Sequence, residues 1–141
     1  MKTIVFLGSI LLVVLVPLTT GISQTTAPTI SDLQIAGAEN IKADKPCTIV
    51  YNIKSNQQPD EVTVNAYIAT PYFTRRSVYS SKKGELHVAV AEKEGVYEIA
   101  ANRDPSAFPA IIGGSTMEVE VWITSGGKSS NKLKGNIHLN F

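Results

Sequence analysis

Apolar and polar residues alternate along most of this chain with a period of two. Leu33 and Ile35 are separated by a polar residue. Cys47, Ile49, Tyr51 and Ile53 fall on one face, with Thr48 and Asn52 on the other. Val62, Val64, Ala66 and Ile68 oppose Glu61, Thr63, Asn65 and Tyr67. Leu86, Val88 and Val90 oppose Glu85 and His87, and Tyr97, Ile99 and Ala101 oppose Glu98. Met117, Val119, Val121 and Ile123 oppose Glu118, Glu120 and Trp122. Leu133, Ile137, Leu139 and Phe141 oppose Lys134, Asn136, His138 and Asn140. Successive side chains of a strand point to opposite faces, so this pattern predicts half-buried antiparallel strands.

The punctuation agrees. Turn-forming clusters stand at 55–60, 80–84, 93–95 and 125–130. Gly, Pro, Asn, Asp and Ser favour these positions because they tolerate or pre-set turn dihedrals. The longest irregular piece is 102–115, with two prolines and adjacent glycines. No helical period appears after the first residues. The expectation is an all-β antiparallel sandwich of seven or eight strands over residues 30–141.

The first residues follow another rule. Lys2 is followed by an apolar run over 4–16, interrupted only by Gly8 and Ser9 and ended by Pro17. Gly21 and Ser23 then offer small residues to a signal peptidase. This is the layout of a secretory signal peptide over 1–23. The run has 13 residues, against about 20 for a membrane-spanning helix. Residues 24–29 form a short polar leader. The expected location is secreted and extracellular, with no span or glycolipid tail in the mature chain.

Removing Lys2 leaves 12 basic and 12 acidic side chains. A balanced chain has no electrostatic reason to prefer nucleic acid or an anionic membrane. Cys47 is the single cysteine, so no intrachain disulfide is expected, and packing must stabilise the domain. By alternation Cys47 points inward as a small hydrophobe.

Two stretches resemble a known family. Residues 111–123, with Gly113-Gly114 before Met117 and alternating valines, are similar to the approach to the sixth strand of a fibronectin type III domain. Residues 132–141 would complete its closing hairpin. Residues 28–53 resemble the first two strands of an immunoglobulin or fibronectin type III sandwich. Met117 stands where that family has a tyrosine, and Tyr51 takes the core place of its second-strand tryptophan. In a second alignment, residues 95–99 resemble the Gly-x-Tyr-x-Cys segment of immunoglobulin domains, with Ile99 at the cysteine position. It leaves two strands where that fold has one, so the first alignment is preferred. The resemblance implies a fold and no particular function.

Candidate chemistry is sparse. His87 and His138 both alternate outward, without ligand spacing, and no nucleophile motif is present. No cofactor and no metal are expected, and the chain is read as not an enzyme. The most distinctive stretch holds Tyr67, Tyr72, Phe73 and Tyr79, four of the nine aromatics outside the leader, with Arg75 and Arg76 among them. Rings beside arginine suit protein and glycan surfaces, because they bury large area at low entropy cost. Trp122 and Lys128, the latter in the Gly126-Gly127 loop, complete the candidate binding residues. The expectation is a secreted binding protein for an extracellular protein or glycan, a monomer or weak homo-oligomer. A host-interaction effector is one version of that role. The alternatives are a self-associating structural or wall-associated protein and a small secreted hydrolase.

Overall fold

The computed structural model describes residues 26–68, 76–81, 85–103, 105 and 107–141. The leader over 1–23 therefore lies outside the described residues. Among those residues, eight strands of six or more residues and one of two residues form two antiparallel sheets. They are β1 (Ile30–Ala36), β2 (Val50–Ser55), β3 (Glu61–Ile68), β4 (Arg76–Ser81), β5 (Leu86–Lys93), β6 (Val96–Arg103), β7 (Thr116–Ser125), β8 (Lys128–Ser129) and β9 (Leu133–His138). One sheet has the order β1-β2-β6-β5. The other has the order β4-β3-β7, with both β8 and β9 pairing β7. Single 3-10 turns occur at Ala38–Asn40 and Ala110–Ile112. No helix among the described residues is long and apolar enough to cross a membrane.

One hydrophobic cluster joins the sheets. Tyr51, Ile53, Ile99 and Ala101 come from the four-stranded sheet. Val62, Val64, Ala66, Ile68, Met117, Val119, Val121, Ile123 and Ile137 come from the five-stranded sheet, all buried. Tyr51 is the largest of the fully buried side chains, on the inward side that alternation gives it. Period-two alternation thus becomes a two-sided core, as sheet-on-sheet packing requires.

Three departures from strict alternation have local causes. In β1, Ile30 and Leu33 both turn toward the core although three positions apart. A bulge between Ser31 and Gln34 absorbs the extra residue, and Asp32 takes a φ of 58° there. Aspartate tolerates this left-handed region better than most residues. Cys47 is not on a strand ladder with Tyr51, since β2 begins at Val50. It is half-buried and packs against the core, and burial pushes its thiol pKa up. In β5, only Leu86 is buried. Val88 and Val90, expected in the core, are 41% and 39% exposed.

Strand ends and loops are tied by side chains that mimic ladder bonds. Asn131 accepts from the Ile30 N–H at 2.9 Å and donates to its carbonyl at 3.0 Å. Asn56 accepts from the Thr29 N–H at 2.8 Å. The Asp60 carboxylate accepts from the Gly126 N–H at 2.8 Å, holding the β7–β8 turn.

Gly37 is the sharpest backbone constraint. Its φ is 86°, and a Cβ there would run into the Thr48 carbonyl oxygen. Gly127 has φ 75° with open space around it. Gly127→Ala should therefore cost only the left-handed term, ~1–2 kcal/mol. Gly37→Ala adds the collision, and its unfolding midpoint should fall clearly below that of Gly127→Ala in thermal melts.

Candidate functional site

The register of β3 with β7 runs over eight consecutive pairs without a shift, from Glu61↔Thr124 to Ile68↔Met117. One side of this ladder is core. The other is the outer face of the five-stranded sheet. There β3 presents Thr63, Asn65 and Tyr67, and β7 presents Trp122, Glu120 and Glu118. β9 extends the rows: Lys134 lies opposite Glu120, and Asn136 opposite Glu118. The result is three cross-strand rows, Thr63–Trp122, Asn65–Glu120–Lys134 and Tyr67–Glu118–Asn136.

Tyr67 and Trp122, two aromatics from distant parts of the sequence, therefore share one face. They sit four positions apart along the ladder, roughly 13 Å at the usual strand rise. Tyr67 is half-buried, and its hydroxyl accepts from the Asn65 amide at 3.1 Å. Trp122 is half-buried, with the Lys132 ammonium 4.5 Å from its ring centroid. Such a cation–π contact contributes about 0.5–1 kcal/mol where partly exposed, and it fixes one face of the indole.

Between the rings runs a polar strip. Alternation places Glu118 and Glu120 in solvent, but Glu120 is buried, with its side chain 8% exposed. Lys134 Nζ lies 3.5 Å from Glu120 Oε1 and 3.9 Å from Glu118 Oε1. Thr63 is buried on the same face. A buried carboxylate requires compensation, and Lys134 supplies part of it from a position itself 61% exposed. The strip offers carboxylate, amide and ammonium groups between two rings, which suits recognition of a polar partner with flat apolar patches.

The remaining expected residues fall differently. Tyr72, Phe73 and Arg75 lie outside the described residues. Arg76 opens β4 opposite Ile68, while Ser77 is the residue opposite Tyr67. Lys128 pairs with Ser125 at the far end of the sheet, so it stands apart from Tyr67. His138 is exposed on β9, with its Nδ1 3.0 Å from the Thr116 hydroxyl. His87 lies on the outer face of the other sheet, so the two histidines cannot act together. Among the described residues, no group of three or more His, Cys, Asp or Glu side chains is placed to hold a metal ion. Glu120, Lys132 and Lys134 were not singled out by motif. Parity puts Glu120 and Lys134 on the outer sides of β7 and β9 without giving depth, and Lys132 directly precedes β9.

A depression of ≈ 440 Å³ lies on the outer face of the four-stranded sheet. Ala89, Ala91 and Ala100 help line it, and Asp32, Gln34, Lys54 and Glu98 ring it. Small side chains make this face concave. Lys54 bridges Asp32 at 3.3 Å with both groups about half exposed.

No protein-family description and no curated protein matches the sequence. Among solved structures, chitinase ChiW from Paenibacillus sp. str. FPU-7, a bacterial cell-surface-expressed multi-modular enzyme, is similar over 84% of this chain, at 13% identity and a TM-score of 0.49. The match covers 9% of the chitinase chain. A likeness at that level attaches neither activity nor substrate to the present chain.

The ion pairs of Lys54 and of Lys134 should differ in weight. Lys54→Ala, at an exposed pair, should change stability by less than about 0.5 kcal/mol, whereas Lys134→Ala, beside a buried carboxylate, should cost ~1 kcal/mol or more. Urea unfolding of both variants measures the difference.

Proposed function

We propose that this chain is a secreted, non-enzymatic binding protein that engages an extracellular protein or glycan through the outer face of its five-stranded sheet. The observation that carries this reading is the placement of Tyr67 and Trp122 on one face, with the Glu118, Glu120, Asn65 and Lys134 strip between them. Half-buried rings held by neighbours lose little entropy on contact, which is why aromatic residues dominate binding energy at interfaces. The polar strip gives orientation without demanding a hydrophobic partner. The signal-peptide layout of 1–23 supports export.

The strand orders support an immunoglobulin-like reading of the sandwich. With β1, β2, β6 and β5 as A, B, E and D, and β4, β3, β7 and β9 as C′, C, F and G, the connectivity follows that family. β7 and β9 then form the closing hairpin implied by the resemblance of residues 111–141 to fibronectin type III domains.

The test is partner capture by the immobilised protein on a glycan array and from extracellular fluid, with Tyr67→Ala and Trp122→Ala compared to the parent. Each variant should lose at least about 30-fold in affinity, the scale of a hot-spot truncation, while still folding cooperatively. Full retention by both folded variants would contradict the reading. Retention on the array or from the fluid separates a glycan from a protein partner.

A further inference from the structure

We propose that β5 is a self-recognition edge through which two copies of this chain pair antiparallel, joining their four-stranded sheets into one of eight strands. This goes beyond the binding face above and uses the opposite sheet.

The four-stranded sheet has two outer strands, and they are treated differently. β1 is guarded. It is broken by the bulge at Asp32, and Asn131 occupies both the N–H and the carbonyl of Ile30. Among the described residues, β5 shows none of these devices. It pairs β6 over eight consecutive residues without a bulge, contains no proline, and carries no Lys, Arg, Asp or Glu from Leu86 to Ala91. Among the described residues no strand pairs its outer side. Long, flat, uncharged edges are templates for strand addition, and proteins ordinarily blunt them.

The side chains say which strand would be added. Val88 and Val90 stand opposite Ala101 and Ile99, both 1% exposed core residues, yet are themselves 41% and 39% exposed. They belong to the core face but lie beyond the cover of the facing sheet. A second β5, related by a two-fold axis at Val88, completes that face. Val88 then meets its own copy, and Leu86 meets Val90 on each side of the axis. On the outer side His87 meets Ala89, whose small side chain gives room. The charged Glu92 and Lys93 fall beyond the apolar centre and limit its length. Every inward position is thus apolar against apolar, so the strand is complementary to itself. Because β1 is guarded, the pairing closes as an isologous dimer and does not propagate. The depressions lined by Ala89 and Ala91 on each copy would lie side by side across the new seam.

Sedimentation or light scattering of the purified protein tests this. Its mass should rise from one chain toward two between micromolar and millimolar concentration. Val88→Lys sets two like charges opposite each other and should weaken association roughly tenfold or more. Val88 is already 41% exposed, so the variant should fold, and its unfolding midpoint verifies this. Val96→Lys is the control: Val96 is 40% exposed but lies outside the proposed ladder, and association should be unchanged. A single-chain mass throughout, or equal behaviour of the two variants, would overturn the proposal and leave the edge to a strand of another protein. Neither result bears on capture through Tyr67 and Trp122.

Discussion

The unbroken ladder between β3 and β7 is the constraint on which the rest depends. Eight pairs in one register set Val62, Val64, Ala66 and Ile68 beside Ile123, Val121, Val119 and Met117, all with 4% exposure or less. Because side chains alternate, the same register fixes Thr63, Asn65, Tyr67, Glu118, Glu120 and Trp122 on the other side. A slip of β7 by one residue would send its four inward apolar side chains to the surface and bring two glutamates and a tryptophan to the core. The apolar side therefore holds the outer face in place at no separate cost. A rigid strand platform positions side chains more closely than a loop does.

The two sheets use their outer surfaces in contrasting ways. On the five-stranded sheet, large and charged side chains crowd together until a glutamate is buried among them. On the four-stranded sheet, alanines leave a hollow. The edges differ too, with β1 bulged and clamped while β5 pairs β6 without a bulge and carries no Lys, Arg, Asp or Glu from Leu86 to Ala91. These asymmetries separate the two proposed contacts. A partner on the Tyr67–Trp122 face would leave the β5 edge open, and pairing at β5 would leave that face exposed.

Much of this was legible because the alternation is strong where both sheets cover a strand. β3, β7 and β9 show it most clearly, and their inward residues are the core. The outward placement of Tyr67 and Trp122 was legible as well, by parity alone. Their meeting on one face was not, since it depends on which strands pair and in what register. Burial of Glu120 was equally hidden, because it arises from neighbours on β3 and β9. Val88 and Val90 read as core for the opposite reason: alternation gives direction, and only the extent of the facing sheet gives cover. The β1 bulge hid Ile30 from the period-two count by one residue. The Tyr72, Phe73 and Arg75 part of the expected aromatic patch lies outside the described residues, so the site rests on Tyr67 and Trp122.

Trp122 is the only tryptophan in the chain, and its emission therefore reports on the outer face directly. The decisive measurement is a fluorescence titration with each glycan or extracellular protein that the immobilised chain retains. The account predicts a saturable change in Trp122 emission, at the concentration where binding occurs, and its loss in Tyr67→Ala. Binding that saturates with Trp122 emission unchanged would place the contact elsewhere and contradict the account.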